Sequence, residues 1–215
     1  MRGMTEAAPA ATVVLLRDRA QGGFEVLLLR RNSQLAFHGG AWVFPGGRID
    51  PVDAGAGGDA GAARRAAARE AREEAGVAVD PDALVQISHW TTPEGLPKRF
   101  DTHFFLIAAP MEQLGAHDGS ESVEGLWITP RQALSEAEAR TKTLVFATAL
   151  NLKKLTAYRN VAEAVAATRA STVVTVMPKV VARSPTGRTL RIPAEAGYGV
   201  TEVVVPAFIP PAGRE

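Results

Sequence analysis

The chain contains no cysteine. That absence removes disulfide frameworks, thiolate nucleophiles and Cys-ligated zinc or iron–sulfur centres. Any metal must be held by oxygen or imidazole. Long apolar runs are missing too: Thr12 to Leu16 and Phe104 to Ala109 fall far short of the roughly 18 to 20 residues a bilayer-crossing helix needs, so no membrane partner is expected. The opening residues lead into only a short apolar stretch before Arg17-Asp18-Arg19, too short for the core of a secretory signal, and a cytoplasmic location is expected. An excess of one charge is also lacking. Across 215 residues, 24 Lys plus Arg stand against 23 Asp plus Glu for a net charge of +1, which argues against a nucleic-acid partner.

What is present fits a packed globular protein: 46% hydrophobic and 22% charged residues lie close to ordinary averages. The length suits one domain with a sizeable appendage. Charge is unevenly spread, with 12 basic and 17 acidic residues in 1–130 against 12 basic and 6 acidic in 131–215. Such a dipolar chain can set an acidic, metal-binding part beside a basic one, although scattered solvated charges would look the same.

Apolar, β-branched-rich runs at Thr12 to Arg17 and Glu25 to Arg30, separated by a Gly-Gly-containing turn, predict a β-hairpin. Trp42-Val43-Phe44 is a short apolar run that Pro45-Gly46-Gly47 should terminate. Gly55 to Gly61 is too glycine-rich for a helix, so a helix is expected only from Ala62 to Ala75, stopped by Gly76. Strands are predicted at Leu84 to Thr91, Phe100 to Ala108 and Val123 to Ile128. Helices follow from Pro130 to Ala139 and from Leu144 to Tyr158, and Asn160 is a candidate cap for another. Four short strand patterns after Thr172 predict a β-rich tail.

The chemistry concentrates in Arg69-Glu70-Ala71-Arg72-Glu73-Glu74-Ala75-Gly76-Val77. Glu70, Glu73 and Glu74 stand at i, i+3 and i+4, which places them on one helix face. Converging carboxylates repel unless a cation joins them, and an all-oxygen set suits Mg²⁺ or Mn²⁺ rather than zinc. A solvated face with exposed ion pairs, each worth about 0 to 1 kcal/mol, has the same composition. The glycines ahead of the helix tip the balance, because Phe44-Pro45-Gly46-Gly47 allows backbone carbonyls to approach a cation closely.

This constellation resembles the Nudix hydrolase family, whose signature runs Gly, five residues, Glu, seven residues, then Arg-Glu-apolar-any-Glu-Glu-any-Gly-apolar. Gly47 matches the first glycine, and Arg69, Glu70, Ala71, Glu73, Glu74, Gly76 and Val77 match the second half. The first acidic position is Asp53, and fifteen residues rather than seven separate it from Arg69. The added residues read as a longer surface loop, and Asp53 stays outside the expected functional set. Residues 27–47 and Thr92 to Phe105 are similar to the coenzyme A diphosphatase-type branch that includes mammalian peroxisomal members. The arginine usual in the coenzyme A motif falls at Ala36, and the final Gly-Arg-Glu is not a peroxisomal address.

The resemblance implies an α+β fold, a Nudix-type α/β/α sandwich with a mixed sheet. The core would occupy 1–140, with a helical and β-rich extension over 141–215 that packs on the core or serves as a dimer arm. It implies Mg²⁺- or Mn²⁺-dependent cleavage of a small-molecule nucleoside diphosphate derivative, coenzyme A or an acyl-coenzyme A among the candidates. ADP-ribose or NADH-type dinucleotides are alternatives, as is a nucleotide sensor without turnover. Gly47, Glu70, Glu73 and Glu74 would hold the metal and Arg69 would orient a carboxylate. The general base would be Glu70 or a loop carboxylate, Glu121 in preference to Glu124. Arg30, Arg31, Lys98 and Arg99 are candidate phosphate contacts, and Phe37, Trp42 or Trp90 could stack on a base. The four histidines show no i, i+4 pairing, so they predict no metal site, and His103 is expected to pack within a strand.

Overall fold

The computed structural model of the chain describes residues 6–34, 39–96, 98–110 and 122–206. The hairpin expected near the start is present as β1 (Ala8–Asp18) and β2 (Phe24–Arg31), antiparallel with Leu16 opposite Val26. Their pairing covers only Leu16 to Asp18. Beyond it β1 takes up a short strand β4 (Gly46–Arg48), while β2 takes up β3 (Trp42–Val43). The Gly-Gly expected to end a strand therefore forms one of its own. No side chains stand in the way there, so the backbone can lie directly against Ala10 to Thr12.

β5 (Val85–Thr91), β6 (Phe100–Ala108) and β7 (Ser122–Ile128) follow where the periodicity predicts them. β6 runs parallel to β1 over nine residue pairs, β5 is antiparallel to β6, and β7 is antiparallel to β2. The main path is β3-β2-β1-β6-β5-β8, closed at one edge by the two-residue β8 (Thr175–Val176). The result is a mixed sheet.

Both sheet faces are covered, and the alternation of β1 and β2 shows how. Val13, Leu15, Leu27 and Leu29 join Ala63, Ala66, Ala67, Ala71 and Ala75 of α1 (Gly58–Ala75) in one buried cluster. Val14, Leu16, Val26 and Leu28 face the other way. They meet Ala133 of α2 (Pro130–Glu138), Leu150, Leu152 and Leu155 of α3 (Phe146–Leu155), and Val161 and Ala164 of α4 (Val161–Arg169). Period-2 strands buried on both sides read as continuous apolar runs. The expected α/β/α layering is present, with one helix opposite three. Thr129 and Asn160 cap α2 and α4 through their side-chain oxygens, as such residues do when they satisfy an orphan backbone N–H.

Two expectations need correction. α1 starts at Gly58, not Ala62, so most of the added stretch is helix rather than loop. Gly61 is accommodated because a Cβ there would lie 2.2 Å from the Ala56 carbonyl oxygen, so local packing overrides its weak helix propensity. The tail forms only two residues of the strand expected at Thr172 to Val176. Its remaining strands, β9 (Lys179–Ser184), β10 (Gly187–Arg191) and β11 (Glu202–Pro206), make a separate antiparallel sheet.

A buried polar knot joins the tail to the helical layer. Asn151 Oδ1 accepts from Ser88 Oγ at 2.8 Å and from the Tyr198 hydroxyl at 3.4 Å, and Asn151 Nδ2 donates to the Ala147 carbonyl at 3.1 Å. The Tyr198 oxygen accepts from Trp90 Nε1 at 3.0 Å. Asn151 is fully buried, so Asn151→Leu strands the Ser88 and Tyr198 hydroxyls. We expect it to cost about 1 to 3 kcal/mol in urea unfolding with an unchanged m-value.

Candidate functional site

The buried stripe of α1 is almost entirely alanine, which lets the helix axis sit close to the sheet. Glu74 interrupts that stripe at 7% exposure. A buried carboxylate needs donors, and its Oε2 accepts from the Gly46 N–H at 2.8 Å. The contact depends on glycine: a Cβ at Gly46 would lie 2.5 Å from Thr12 Oγ1 and 2.6 Å from the Ala11 carbonyl oxygen. At Gly47 a Cβ would lie 2.3 Å from Glu70 Oε1. Gly46 is thus set by how closely β4 lies against β1, and Gly47 by how closely it passes under α1.

Arg69 is the hub of the site. Its Nε and Nη2 donate to the two carboxylate oxygens of Asp53 at 3.1 and 2.9 Å, a bidentate geometry that suits the planar guanidinium. Nη1 donates to Glu70 Oε1 at 2.8 Å and to Glu73 Oε2 at 2.9 Å, and Nη2 also reaches the Arg48 carbonyl at 3.0 Å. Asp53 is 3% exposed and accepts in addition from the Asp50 N–H. Burial pushes the Asp53 carboxyl up. The Arg69 and Asp50 hydrogen bonds, with the charges of Arg69 and Arg65, outweigh that and hold it below the usual carboxylate range. The Asp53 hydrogen bond, with those to Glu70 and Glu73, raises the Arg69 pKa against the opposing effect of burial, so this guanidinium stays charged.

Asp53 is therefore a site residue that the sequence reading set aside. Its signal was available, since it lies six positions after Gly47 as the signature requires. The extra eight residues obscured it. In the folded chain α1 begins four residues earlier than expected, about one turn, and Arg69 still meets Asp53.

Glu70, Glu73 and Glu74 form an all-oxygen set on α1, with Glu74 bonded to Gly46 and Glu70 facing Gly47 of β4, whose carbonyl can be added. This donor chemistry fits a hard divalent cation such as Mg²⁺ or Mn²⁺. The three carboxylates are not equivalent: Glu73 is more than half exposed, Glu70 is largely covered and Glu74 is buried. They also do not converge as closely as helical spacing alone suggests. Among the described residues, the groups whose ligand atoms all lie within 4.8 Å of one another are His89, Asp101 and His103. The expectation that the histidines have no metal-type arrangement is corrected by strand pairing, which sets His89 opposite His103.

The expected substrate contacts divide. Arg30 lies on β2 and pairs with Glu124 at 3.2 Å, so that glutamate serves as an exposed ion-pair partner. Arg31 Nε is buried without a hydrogen-bond partner among the described residues. Lys98 is exposed, with its Nζ 5.6 Å from the Phe100 ring centroid. Arg99 is corrected from phosphate contact to structural strut: it is 9% exposed, and it donates to the Thr92 carbonyl and to Met177 Sδ. Trp42 and Trp90 are corrected as stacking surfaces. Both lie in the core, with Lys142 Nζ 4.1 Å from the Trp42 ring centroid. Phe37 and Glu121 lie outside the described residues.

A mixed sheet between one helix and three, with this Arg-Glu-rich helix laid on a Gly-Gly strand, is the architecture of a NUDIX domain. The sequence model of that family matches residues 7–147, and the chain belongs to it. A curated relative, "Putative nudix hydrolase 7" of Caenorhabditis elegans, is 29% identical over 165 residues, covering 60% of this chain. The alignment covers 54% of that protein, so the chain spans about half of its relative's length. Among solved structures, a NUDIX hydrolase from Alicyclobacillus acidocaldarius is 28% identical with a TM-score of 0.68, covering 76% of this chain and 97% of that one. The NUDIX domain of Shewanella oneidensis NrtR, solved with ADP ribose, shares the fold at 17% identity and a TM-score of 0.53, covering 71% and 88% of the two chains.

Two outcomes test this geometry. Asp53→Asn removes the charge facing Arg69 and should cost about 3 kcal/mol at neutral pH. Because the folded Asp53 pKa is lowered, its contribution is complete above the unfolded value of about 3.9 and is lost as pH falls through the folded value. The gap between wild type and Asp53→Asn in urea midpoint should accordingly shrink below about pH 4. Gly47→Ala presses on the Arg69-held carboxylate end of the Glu70 side chain rather than on backbone. The fold should survive it, seen as an unchanged far-UV circular dichroism spectrum, while any metal-dependent activity is lost.

Proposed function

We infer that the protein is a Mg²⁺- or Mn²⁺-dependent Nudix hydrolase that cleaves the diphosphate of a nucleoside diphosphate joined to a second moiety. The observation that carries this reading is the trio of α1 carboxylates: Glu74 and Glu70 meet the Gly46–Gly47 strand, and Arg69 braces Glu70 and Glu73. The hydrolase names of the C. elegans and A. acidocaldarius relatives support it. Coenzyme A or an acyl-coenzyme A is the preferred substrate class, supported by the similarity of residues 27–47 and 92–105 to that branch.

Glu70, Glu73, Glu74 and the Gly47 carbonyl would hold the cation, which neutralises diphosphate oxygens and acidifies a water when bound. The chain's own groups do the rest. Arg69 draws Glu70 and Glu73 toward one guanidinium nitrogen, so neither carboxylate has to be ordered at the moment of reaction. Asp53 holds Arg69 in place from below. Glu70 or Glu121 takes the proton from the attacking water. Arg30 and Arg31, at the end of β2 next to the Trp42 strand, offer positive charge to the leaving phosphate.

The test is product analysis across coenzyme A, acyl-coenzyme A, ADP-ribose and NADH with Mg²⁺ or Mn²⁺. Cleavage of at least one into two phosphate-bearing products is expected. Binding without metal-stimulated turnover of any of them would instead identify a nucleotide sensor. Glu73→Gln and Glu74→Gln should each lower kcat by about a hundredfold or more while leaving the fold intact. Near wild-type kcat in either variant would overturn the metal assignment.

A further inference from the structure

Strand pairing brings together a cluster that the proposed hydrolytic site does not use. His89 on β5 faces His103 on β6 as direct cross-strand partners, and Asp101 stands two residues before His103 on the same face. The two imidazoles stack with centroids 4.1 Å apart and planes 14° from parallel. His89 Nε2 lies 2.9 Å from Asp101 Oδ1. All three residues are partly buried, and His89 Nε2 is itself out of solvent contact with no hydrogen-bond partner among the described residues.

We propose that His89, His103 and Asp101 form a second metal site, for a zinc-type divalent transition ion, separate from the Nudix carboxylates. Two imidazoles and one carboxylate are a zinc-type ligand set with a position left for water. Mg²⁺, which demands hard oxygen ligands, is a poor occupant, whereas the all-oxygen set on α1 is a poor zinc site. The two sites thus select different ions by donor chemistry alone.

The surroundings are those a metal-bound histidine needs. A ligating imidazole presents one nitrogen to the ion and fixes the other through a hydrogen bond. His89 Nδ1 lies 2.9 Å from Thr175 Oγ1, and His103 Nδ1 lies 2.9 Å from the Gln86 side-chain amide. Both partners can serve either tautomer: a hydroxyl donates or accepts, and an amide can turn its oxygen in place of its nitrogen. Each ring can therefore carry its proton on Nδ1 and turn Nε2 to the ion. Thr91 Oγ1, 2.5 Å from Asp101 Oδ1, steadies the carboxylate in the same way. As they stand the rings are nearly parallel and their in-plane lone pairs do not meet at one point, so ion binding turns them out of their stack until both nitrogens, about 2.0 to 2.1 Å from the ion, converge on it.

The row of the sheet fixes where this site lies. Gly47 pairs with Ala11, Ala11 with His103, His103 with His89, and His89 with Thr175. Side chains in one such row share a face. This is the α1 face, because Ala11 packs under α1 and the Cβ direction of Gly47 meets Glu70. At about 4.8 Å per strand, His103 is roughly 10 Å and His89 roughly 14 Å from Gly47. That distance is too great to share ligands with the glutamates. Thr175 comes from β8, beyond the span of the NUDIX match, so the tail supplies a positioning residue for a site on the core sheet.

The test uses the full chain stripped of metal and then titrated with Zn²⁺ against a chromophoric chelator, with excess Mg²⁺ present to occupy the glutamates. One Zn²⁺ per chain is expected, with X-ray absorption showing two imidazole nitrogens at about 2.0 to 2.1 Å. Thr175→Val keeps the shape but removes the hydroxyl and should weaken zinc binding by about tenfold, an effect that a packing role alone would not produce. His89→Gln and His103→Gln should weaken it further. Failure to bind zinc, binding through oxygen ligands alone, or unchanged affinity in folded histidine variants would overturn the proposal. Should the histidine variants fail to fold, the absorption spectrum of the wild-type complex decides by itself.

Discussion

The buried pair between Arg69 and Asp53 is the constraint on which the rest of the site depends. It ties the turn after β4 to the middle of α1, and the same guanidinium then gathers Glu70 and Glu73. Without that anchor three acidic side chains on one helix face would spread apart by mutual repulsion. A charged hub at this depth is tolerable because its donors find partners among two acidic side chains of α1, the Asp53 carboxylate and a backbone carbonyl.

Close approach is the second requirement, and it is met by small residues on both sides. The alanine stripe of α1 lowers the helix onto the sheet, Gly47 lets β4 pass beneath it, and Gly46 lets β4 lie close against β1. Glu74 can then be buried and still receive a backbone N–H. Packing and chemistry are the same contact here. Larger residues on the stripe would lift the helix and separate the carboxylates from the strand.

The opposite face of the sheet carries the larger apolar cluster. Its cluster draws on α2, α3 and α4 and on Ile192, Ala196 and Tyr198 of the tail, so a segment outside the NUDIX match shares the core of the domain. The polar knot around Asn151 adds directionality that apolar packing lacks, since each of its hydrogen bonds fixes an orientation as well as a distance. The basic excess after residue 131 is spent largely on surface and on local pairs, such as Lys142 with Glu136 and Arg191 with Glu202.

Much of this was legible in the sequence because it is local. The hairpin, β6, and the helices after Pro130 and Asn160 follow from periodicity and capping residues within a few positions of each other. The Arg-Glu-rich helix and the Pro-Gly-Gly turn identify the family by their own spacing. What could not be read depends on which strands lie side by side. Asp53 reaches Arg69 across sixteen residues because the chain folds back between them into the start of α1. Trp42, Trp90 and Arg99 look like ligand-binding side chains until the fold encloses them. His89 and His103 have no helical spacing to announce them and become neighbours only through antiparallel register. Sequence by itself determined the elements and the chemistry carried on a single helix, since those rest on near-neighbour backbone geometry. Tertiary structure alone decided which polar groups are buried, paired or brought together across strands, since that depends on contacts between residues far apart in the chain.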